Sequence, residues 1–158
     1  MTVRLGIVMD PIQDIHFKKD SSLAMLHAAQ KRGWEIEYME LPDLYLAGGQ
    51  ARAHTRGLTV HMDPDNWYSF GASQDRALGD LDVILMRQDP PVDREFLMAT
   101  YILESAEQQG ALVVNPAATL RDCNEKLFAT QFEDLTPPLI VTRSAQRFRE
   151  FYAEHGDI

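Results

Sequence analysis

Short apolar runs and segments with helical spacing alternate along this chain. Residues 83–86 form an unbroken apolar run bounded by polar residues, which is typical of a strand buried on both faces. Two prolines follow and have no N–H for a sheet, so the strand is predicted to end near Arg87. Asp93 then offers an N-cap for a helix over residues 94–109, whose apolar positions recur at helical spacing.

The same patterns predict the remaining elements. Charged and apolar residues alternate over residues 34–39, which predicts a half-exposed strand at or near the sheet edge. The polar stretch 64–76 is predicted to be an irregular loop whose aromatic residues pack onto the domain. We also predict strands over residues 3–9, 111–115 and 139–142, and a hairpin of strands 44–46 and 51–61 around a Gly-Gly turn. Further helices are predicted from a cap at Asp20 or Ser21 to residue 32, from a cap at Asp122 or Asn124 to residue 132, and from a cap at Ser144 to about residue 155.

Strand, helix and strand in this order predict a right-handed βαβ unit, so the fold class is α/β. The expected architecture is a Rossmann-like parallel sheet flanked by helices. The Pro-Pro break at residues 137–138 indicates that a second domain starts near residue 120. We therefore predict one domain over residues 1–119 and the beginning of another over residues 120–158.

Charged residues follow the strands of the predicted sheet. Arg87 and Asp89 come after the central strand, Asp10 comes after the first strand, and Lys18 lies in the long loop that follows Asp10. Ligands of open α/β sheets bind beyond the carboxyl ends of the strands, so these four residues are candidates for a binding site. The simpler interpretations are a surface ion pair of Arg87 with Asp89 or Asp93 and a mobile surface loop around Lys18.

Charge and composition exclude several classes of function. The net charge is −9 over 158 residues, which argues against binding nucleic acid or an anionic membrane surface. The single cysteine, Cys123, has no partner for an internal disulfide. The N-terminus lacks the pattern of a signal peptide, and no apolar segment is long enough to span a bilayer. These features predict a cytoplasmic protein.

The common catalytic and cofactor motifs are absent. The chain has neither the G-x-G-x-x-G pattern nor a Walker P-loop, and its five histidines are scattered, so we assign no catalytic residue and no metal ligand. Cys123 is interpreted as an inert thiol. Lys126 lies in the first turns of a predicted helix, where the simplest interpretation is an exposed lysine paired with Glu125 or Asp122.

Six segments in order resemble the bacterial glutathione synthetases of the ATP-grasp superfamily. These segments are residues 5–11, 17–22, 43–46, 51–56, 86–91 and 120–127. The resemblance extends over nearly the whole chain, and the ordered set is more specific than any one segment. It implies a pre-ATP-grasp domain followed by the start of an ATP-grasp domain.

The resemblance also implies an activity and roles for residues. ATP would phosphorylate the carboxylate of γ-glutamylcysteine, glycine would displace the acyl phosphate, and Mg²⁺ would neutralise the phosphates. Lys126 is similar to an ATP-binding lysine of the family, and Arg87 to a residue that faces the peptide substrate; we expect Asp10, Lys18 and Asp89 to line the same site. Because the family's other ATP and Mg²⁺ ligands would lie beyond Ile158, the chain alone is expected to be inactive. The family further implies a homo-oligomer.

Two alternatives remain open from the residues alone. One is a non-catalytic α/β module that binds a small ligand or mediates assembly. The other is a phospho-acceptor domain that uses Asp10, although the sequence does not supply the cluster of acids and the later lysine that such a domain needs.

Overall fold

The structure, a computed structural model, describes residues 2–156, so the last two positions of the predicted second domain lie outside the described residues. It divides into two compact units, one ending at Arg121 and the other starting at Asp122. We describe each unit by itself.

The first unit alternates strands and helices. Its elements are β1 (Arg4–Met9), α1 (Ser21–Lys31), β2 (Glu35–Met39), β3 (Leu44–Ala47), β4 (Gln50–Val60), β5 (Tyr68–Ala77), β6 (Val83–Arg87), α2 (Arg94–Gln108), β7 (Leu112–Val114) and α3 (Ala117–Asp122), the last of which reaches the division between the units. The predicted βαβ unit and the Gly-Gly hairpin are confirmed. Asp20 and Asp93 cap α1 and α2 by accepting hydrogen bonds from the main-chain N–H groups of Leu23 and Phe96.

The described strands form one seven-stranded sheet in the order β3-β4-β2-β1-β6-β7, with β5 paired to β4. β1 runs parallel to both β2 and β6, and β6 runs parallel to β7. The β4 strand is antiparallel to β2, β3 and β5. The predicted α/β class is confirmed, and the sheet is mixed rather than wholly parallel because two hairpins extend one side of it.

The two helices α1 and α2 cover opposite faces of the sheet, because successive side chains of a strand point to opposite faces. The core on the α2 side contains Val8, Met39, Ile84 and Met86 from the strands and Phe96 and Leu103 from α2. The core on the α1 side contains Leu5, Ile7, Ile36 and Tyr38 from the strands and Leu23 and Leu26 from α1. Burying each large aliphatic side chain contributes about 1.5–3 kcal/mol, so these faces fix the positions of the strand ends beneath both helices.

The strand predicted over residues 34–39 is confirmed as Glu35–Met39, but its predicted half-exposed position at or near the sheet edge is wrong. β2 lies between β1 and β4, and Glu37 is only 6% exposed. Its carboxylate accepts hydrogen bonds from Arg76 at 3.0 Å and from Gln74 at 2.9 Å. The alternating charges had indicated a solvent-exposed face, but partners from β5 make it possible to bury Glu37.

The prediction of an irregular loop over residues 64–76 is also wrong, because most of this stretch forms β5. The strand pairs with β4 from the Val60–Tyr68 pair to the Arg52–Ala77 pair, with a register shift between Arg56 and Leu58. Its side chains from Ser69 to Asp75 are exposed, so the stretch lacks the apolar alternation that indicates a strand. The aromatic residues do pack onto the domain as predicted, with the rings of Tyr38 and Phe70 centred 5.2 Å apart.

The second unit contains α4 (Glu125–Ala129), a 3₁₀ turn (Glu133–Leu135) and α5 (Ala145–His155). The helix predicted to be capped by Asp122 or Asn124 is confirmed, with Asn124 as its cap: the side chain of Asn124 accepts hydrogen bonds from the N–H groups of Lys126 and Leu127. The helix ends at Ala129, earlier than predicted, so Phe132 lies outside it. The strand predicted over residues 139–142 is wrong. These residues pair with no strand in the described part of the chain, and Val141 is 59% exposed.

Candidate functional site

A cleft of about 540 Å³ opens in the first unit where β1 and β6 end and α1 begins. Parallel pairing places Met9 of β1 beside Arg87 of β6, so the residues that follow both strands meet at one edge of the sheet. The charged groups that line the cleft are Asp10, Asp14, Lys19, Asp20, Arg87 and Asp89.

Arg87 is held against the first turn of α1. Its Nε donates a hydrogen bond to the hydroxyl of Ser22 at 3.2 Å, and its Nη2 donates to the hydroxyl of Ser21 at 2.9 Å. Among the described residues, Arg87 forms no salt bridge with Asp89 or Asp93. The simpler interpretation of a surface ion pair is therefore not supported, and the guanidinium keeps N–H groups for a ligand, because it has five.

Asp10 joins the ends of the two central strands. One carboxylate oxygen accepts a hydrogen bond from the side-chain amide of Gln88, and the other accepts from the main-chain N–H of Asp89 at 2.9 Å. Hydrogen bonds to a carboxylate are stronger than those between neutral groups. Asp10 therefore fixes the position of the segment that carries Arg87 and Asp89.

Two aromatic residues anchor the loop between β1 and α1. The phenol of Tyr38 accepts a hydrogen bond from the main-chain N–H of Ile12 at 3.1 Å, and the indole N–H of Trp67 donates to the carbonyl of Ile12 at 2.9 Å. Tyr38 also donates to Glu40 at 2.7 Å. Burial, and then this bond to Glu40, raise the pKa of Tyr38 well above its usual range, so the phenol stays neutral and keeps donating.

The structure brings three of the four predicted substrate residues into one cleft: Asp10, Arg87 and Asp89. Lys18 is exposed and does not contribute to the lining, whereas its neighbour Lys19 does. A role for Lys18 in binding therefore stays a prediction.

The serines that contact Arg87 were missed as site residues. The sequence had indicated the start of a helix at Ser21, and that interpretation gave both serines a local structural role. The signal that could have found them is topological, because a helix that follows β1 begins at the same edge of the sheet where β6 ends.

Lys126 lies in α4 of the second unit. Its ammonium is 2.6 Å from Glu125, and both side chains are highly exposed. This lysine lowers the pKa of Glu125 through a hydrogen bond and through its charge. Lys126 also lines a small concavity of about 290 Å³ with Ala129, Pro137 and Leu139. A role in holding ATP stays a prediction for this residue.

The described residues do not form a metal site. No group of three or more His, Cys, Asp or Glu side chains in residues 2–156 is placed to hold an ion. The acidic residues of the cleft therefore do not fit a Mg²⁺ site by themselves, and we derive no step through Mg²⁺ from them. None of the described helices is both long and apolar enough to cross a membrane.

Comparison with known proteins gives a consistent set of relatives. Residues 3–121 match the family model described as "Prokaryotic glutathione synthetase, N-terminal domain". Over 156 residues, the chain is 62% identical to a glutathione synthetase of Yersinia pestis, covering 99% of this chain and 49% of the relative. It is 58% identical over 156 residues to the glutathione synthetase of Escherichia coli (strain K12), again covering 99% of this chain and 49% of the relative. The chain thus spans about half the length of the curated relatives it matches.

Proposed function

Because the chain belongs to the prokaryotic glutathione synthetase family, we propose that it is the N-terminal, substrate-side part of an ATP-dependent ligase that joins γ-glutamylcysteine to glycine. In this reaction the γ-phosphoryl group of ATP is transferred to the cysteinyl carboxylate, which leaves ADP and an acyl phosphate. The amine of glycine then attacks the acyl carbon, and inorganic phosphate leaves as the peptide bond forms. Mg²⁺ bound to ATP would supply charge neutralisation at the phosphates.

The observation that carries the proposal is the placement of Arg87 in the cleft at the ends of β1 and β6. A guanidinium binds a carboxylate through two parallel N–H groups, and γ-glutamylcysteine carries two carboxylates. Asp10 keeps Arg87 in place through the segment 88–89, and Ile12 is held by Tyr38 and Trp67. These residues give the substrate a site that is formed before it binds, which lowers the entropic cost of binding.

We propose that Lys126 contributes to ATP binding and that Lys18 and Asp89 contact the dipeptide. Support for these roles is the family resemblance together with the position of Asp89 in the cleft lining. We also propose a homo-oligomer that acts in the cytoplasm, in keeping with the family.

A chimeric enzyme tests the proposal. This chain would replace the matching N-terminal half of the Escherichia coli (strain K12) relative, to which it is 58% identical over 156 residues. We expect the chimera to form glutathione, and Arg87→Ala to raise the KM for γ-glutamylcysteine by about 10- to 100-fold, as expected for a hydrogen-bonded charge. The KM for ATP should change less than twofold, roughly 0.4 kcal/mol.

Arg32→Ala is the matched control, because Arg32 is an exposed arginine at the far end of α1 whose guanidinium donates to the carbonyl of Ala28. An unchanged dipeptide KM in a folded Arg87→Ala chimera would remove Arg87 from the site. A folded, unmutated chimera that bound the dipeptide without forming glutathione would contradict the ligase assignment and favour a non-catalytic binding module.

A further inference from the structure

The two serines occupy one edge of the planar guanidinium of Arg87. The Nε–H and one N–H of Nη2 point in parallel along that edge, and these are the groups that donate to Ser22 and Ser21. The second edge is formed by one N–H of Nη1 and the other N–H of Nη2, and these two N–H groups also point in parallel. Both serine bonds restrict rotation of the guanidinium, and they direct its second edge away from the serines.

Helix stability does not account for this contact. Asp20 already caps α1, and the positive end of a helix dipole favours an anion rather than a cation. Arg87 instead brings a positive charge to the first turn of α1. An anion that contacts Arg87 would be attracted by both the guanidinium and the start of the helix, and this attraction acts against the repulsion from the aspartates that line the same cleft, Asp10, Asp14, Asp20 and Asp89.

Because Ser22 is buried, water cannot easily replace Arg87 as its hydrogen-bond partner. Ser22 is only 4% exposed, and a buried hydroxyl is nearly always hydrogen-bonded. Ser21, by contrast, is exposed, so water can replace Arg87 as its partner. The hydrogen bond to the buried Ser22 fixes the position of Nε, and the hydrogen bond to the exposed Ser21 sets the orientation of Nη2.

We propose that Ser21 and Ser22 are positioning residues that orient Arg87 so that its second edge binds a substrate carboxylate in a bidentate manner. This inference rests on the proposed function, because it names how that site holds the dipeptide. It predicts that Lys cannot replace Arg87, since an ammonium cannot bond both serines and a carboxylate in one plane.

Calorimetric binding of γ-glutamylcysteine to the 158-residue chain tests the proposal. Each of Ser21→Ala and Ser22→Ala should weaken binding by about 2- to 10-fold, the range for one hydrogen bond. In the Arg87→Ala background the same serine substitutions should have no further effect, because the serines act through Arg87. Ser21→Thr keeps a hydroxyl at an exposed position and should bind as tightly as the unmodified chain.

A second measurement reports on the guanidinium itself. In the unmodified chain the two Nη groups of Arg87 should give separate NMR signals, because rotation is restricted, and its Nε–H should exchange slowly with water. Both signatures should be lost in the Ser21→Ala/Ser22→Ala double variant. Ser73→Ala, at an exposed serine of β5 outside the cleft, is the control and should change neither.

The outcomes separate this inference from the proposed function. Full dipeptide affinity in Arg87→Ala, or no binding by the folded chain at all, would contradict the cleft as the dipeptide site. Weak binding by Arg87→Ala with full affinity in both serine variants would leave that site in place and overturn the positioning role. Serine effects that persist in the Arg87→Ala background would also overturn it.

Discussion

Trp67 donates its indole N–H to the main-chain carbonyl of Ile12 at 2.9 Å, across 55 positions of the sequence. This bond joins the residue that precedes β5 to the loop that lines the cleft. The centroid of the Phe17 ring, in the same loop, lies 6.2 Å from the centroid of the Trp67 ring. Trp67 therefore contacts the loop at two points. The outer hairpin of the sheet therefore supports the site without contributing a residue to it.

Trp67→Phe should loosen this loop while keeping an aromatic ring in place. Losing the hydrogen bond should lower the free energy of unfolding by about 1 kcal/mol, measured in urea. Hydrogen exchange should rise over residues 11–19, because the loop loses an anchor. Trp34→Phe, in the partly buried ring that packs against the same core, is the control, and faster exchange in that loop after Trp34→Phe would argue against a specific role for Trp67.

Tyr38 should remain a phenol at a pH where an ordinary tyrosine is half ionised. Its pKa is raised above the usual value of 10.0, chiefly by burial and then by the bond to Glu40. The stabilisation from its neutral form is therefore fully present below pH 10 and is lost only as the pH rises toward the higher pKa of the folded state. At pH 10 the 295 nm absorbance of the folded chain and of Tyr38→Phe should coincide, whereas a difference equal to half a phenolate would contradict this environment.

Removing one partner of the Glu37–Arg76 pair should lower the free energy of unfolding much more than replacing both partners. Their side chains are only 8% and 15% exposed. Arg76→Met would leave the carboxylate buried without its cation, which costs about 3–5 kcal/mol of unfolding free energy. The double variant Glu37→Met/Arg76→Met should recover most of that loss in urea unfolding. If the double variant instead lost as much unfolding free energy as the two single substitutions together, the two groups would not stabilise each other.

Gly79 is a position where the chain approaches itself too closely for a side chain. A Cβ there would lie 2.8 Å from the Cβ of Gln109 and 2.9 Å from its carbonyl oxygen, at the end of α2. Gly79→Ala must push two main-chain segments apart and should cost about 1–3 kcal/mol of unfolding free energy. In Gly71→Ala the nearest atoms would be 3.6 Å away, at ordinary contact, and a comparable loss in that control would contradict a steric cause.

The part of the site that depends on strand order could be predicted from the sequence. Arg87 ends one apolar strand and Asp10 follows another, and parallel strands bring their carboxyl ends to one edge. Ser22 could not be predicted in the same way, because its role depends on the direction in which α1 leaves that edge. The predicted start of a helix accounted for Ser21 and Ser22 as first-turn residues, so no unusual residue pointed to a contact with Arg87.

The outer half of the sheet was harder to predict because its partners are distant in the sequence. Glu37 is charged and yet buried, since Gln74 and Arg76 arrive from a strand almost forty positions later. β5 itself carries exposed polar residues on both faces and is a strand because it pairs with β4. Alternation of apolar and polar residues indicates a strand with one buried face, so a strand that is exposed on both faces does not show this alternation.

The most direct test of the cleft as the dipeptide site is an NMR titration of the ¹⁵N-labelled chain with γ-glutamylcysteine. We expect saturable shifts of main-chain amide signals in residues 10–22 and 87–89, and of the side-chain N–H signal of Arg87. Glycine alone should not reproduce these shifts. A titration that left these signals unchanged, or that moved only signals outside the cleft, would contradict the assignment of the cleft at the ends of β1 and β6.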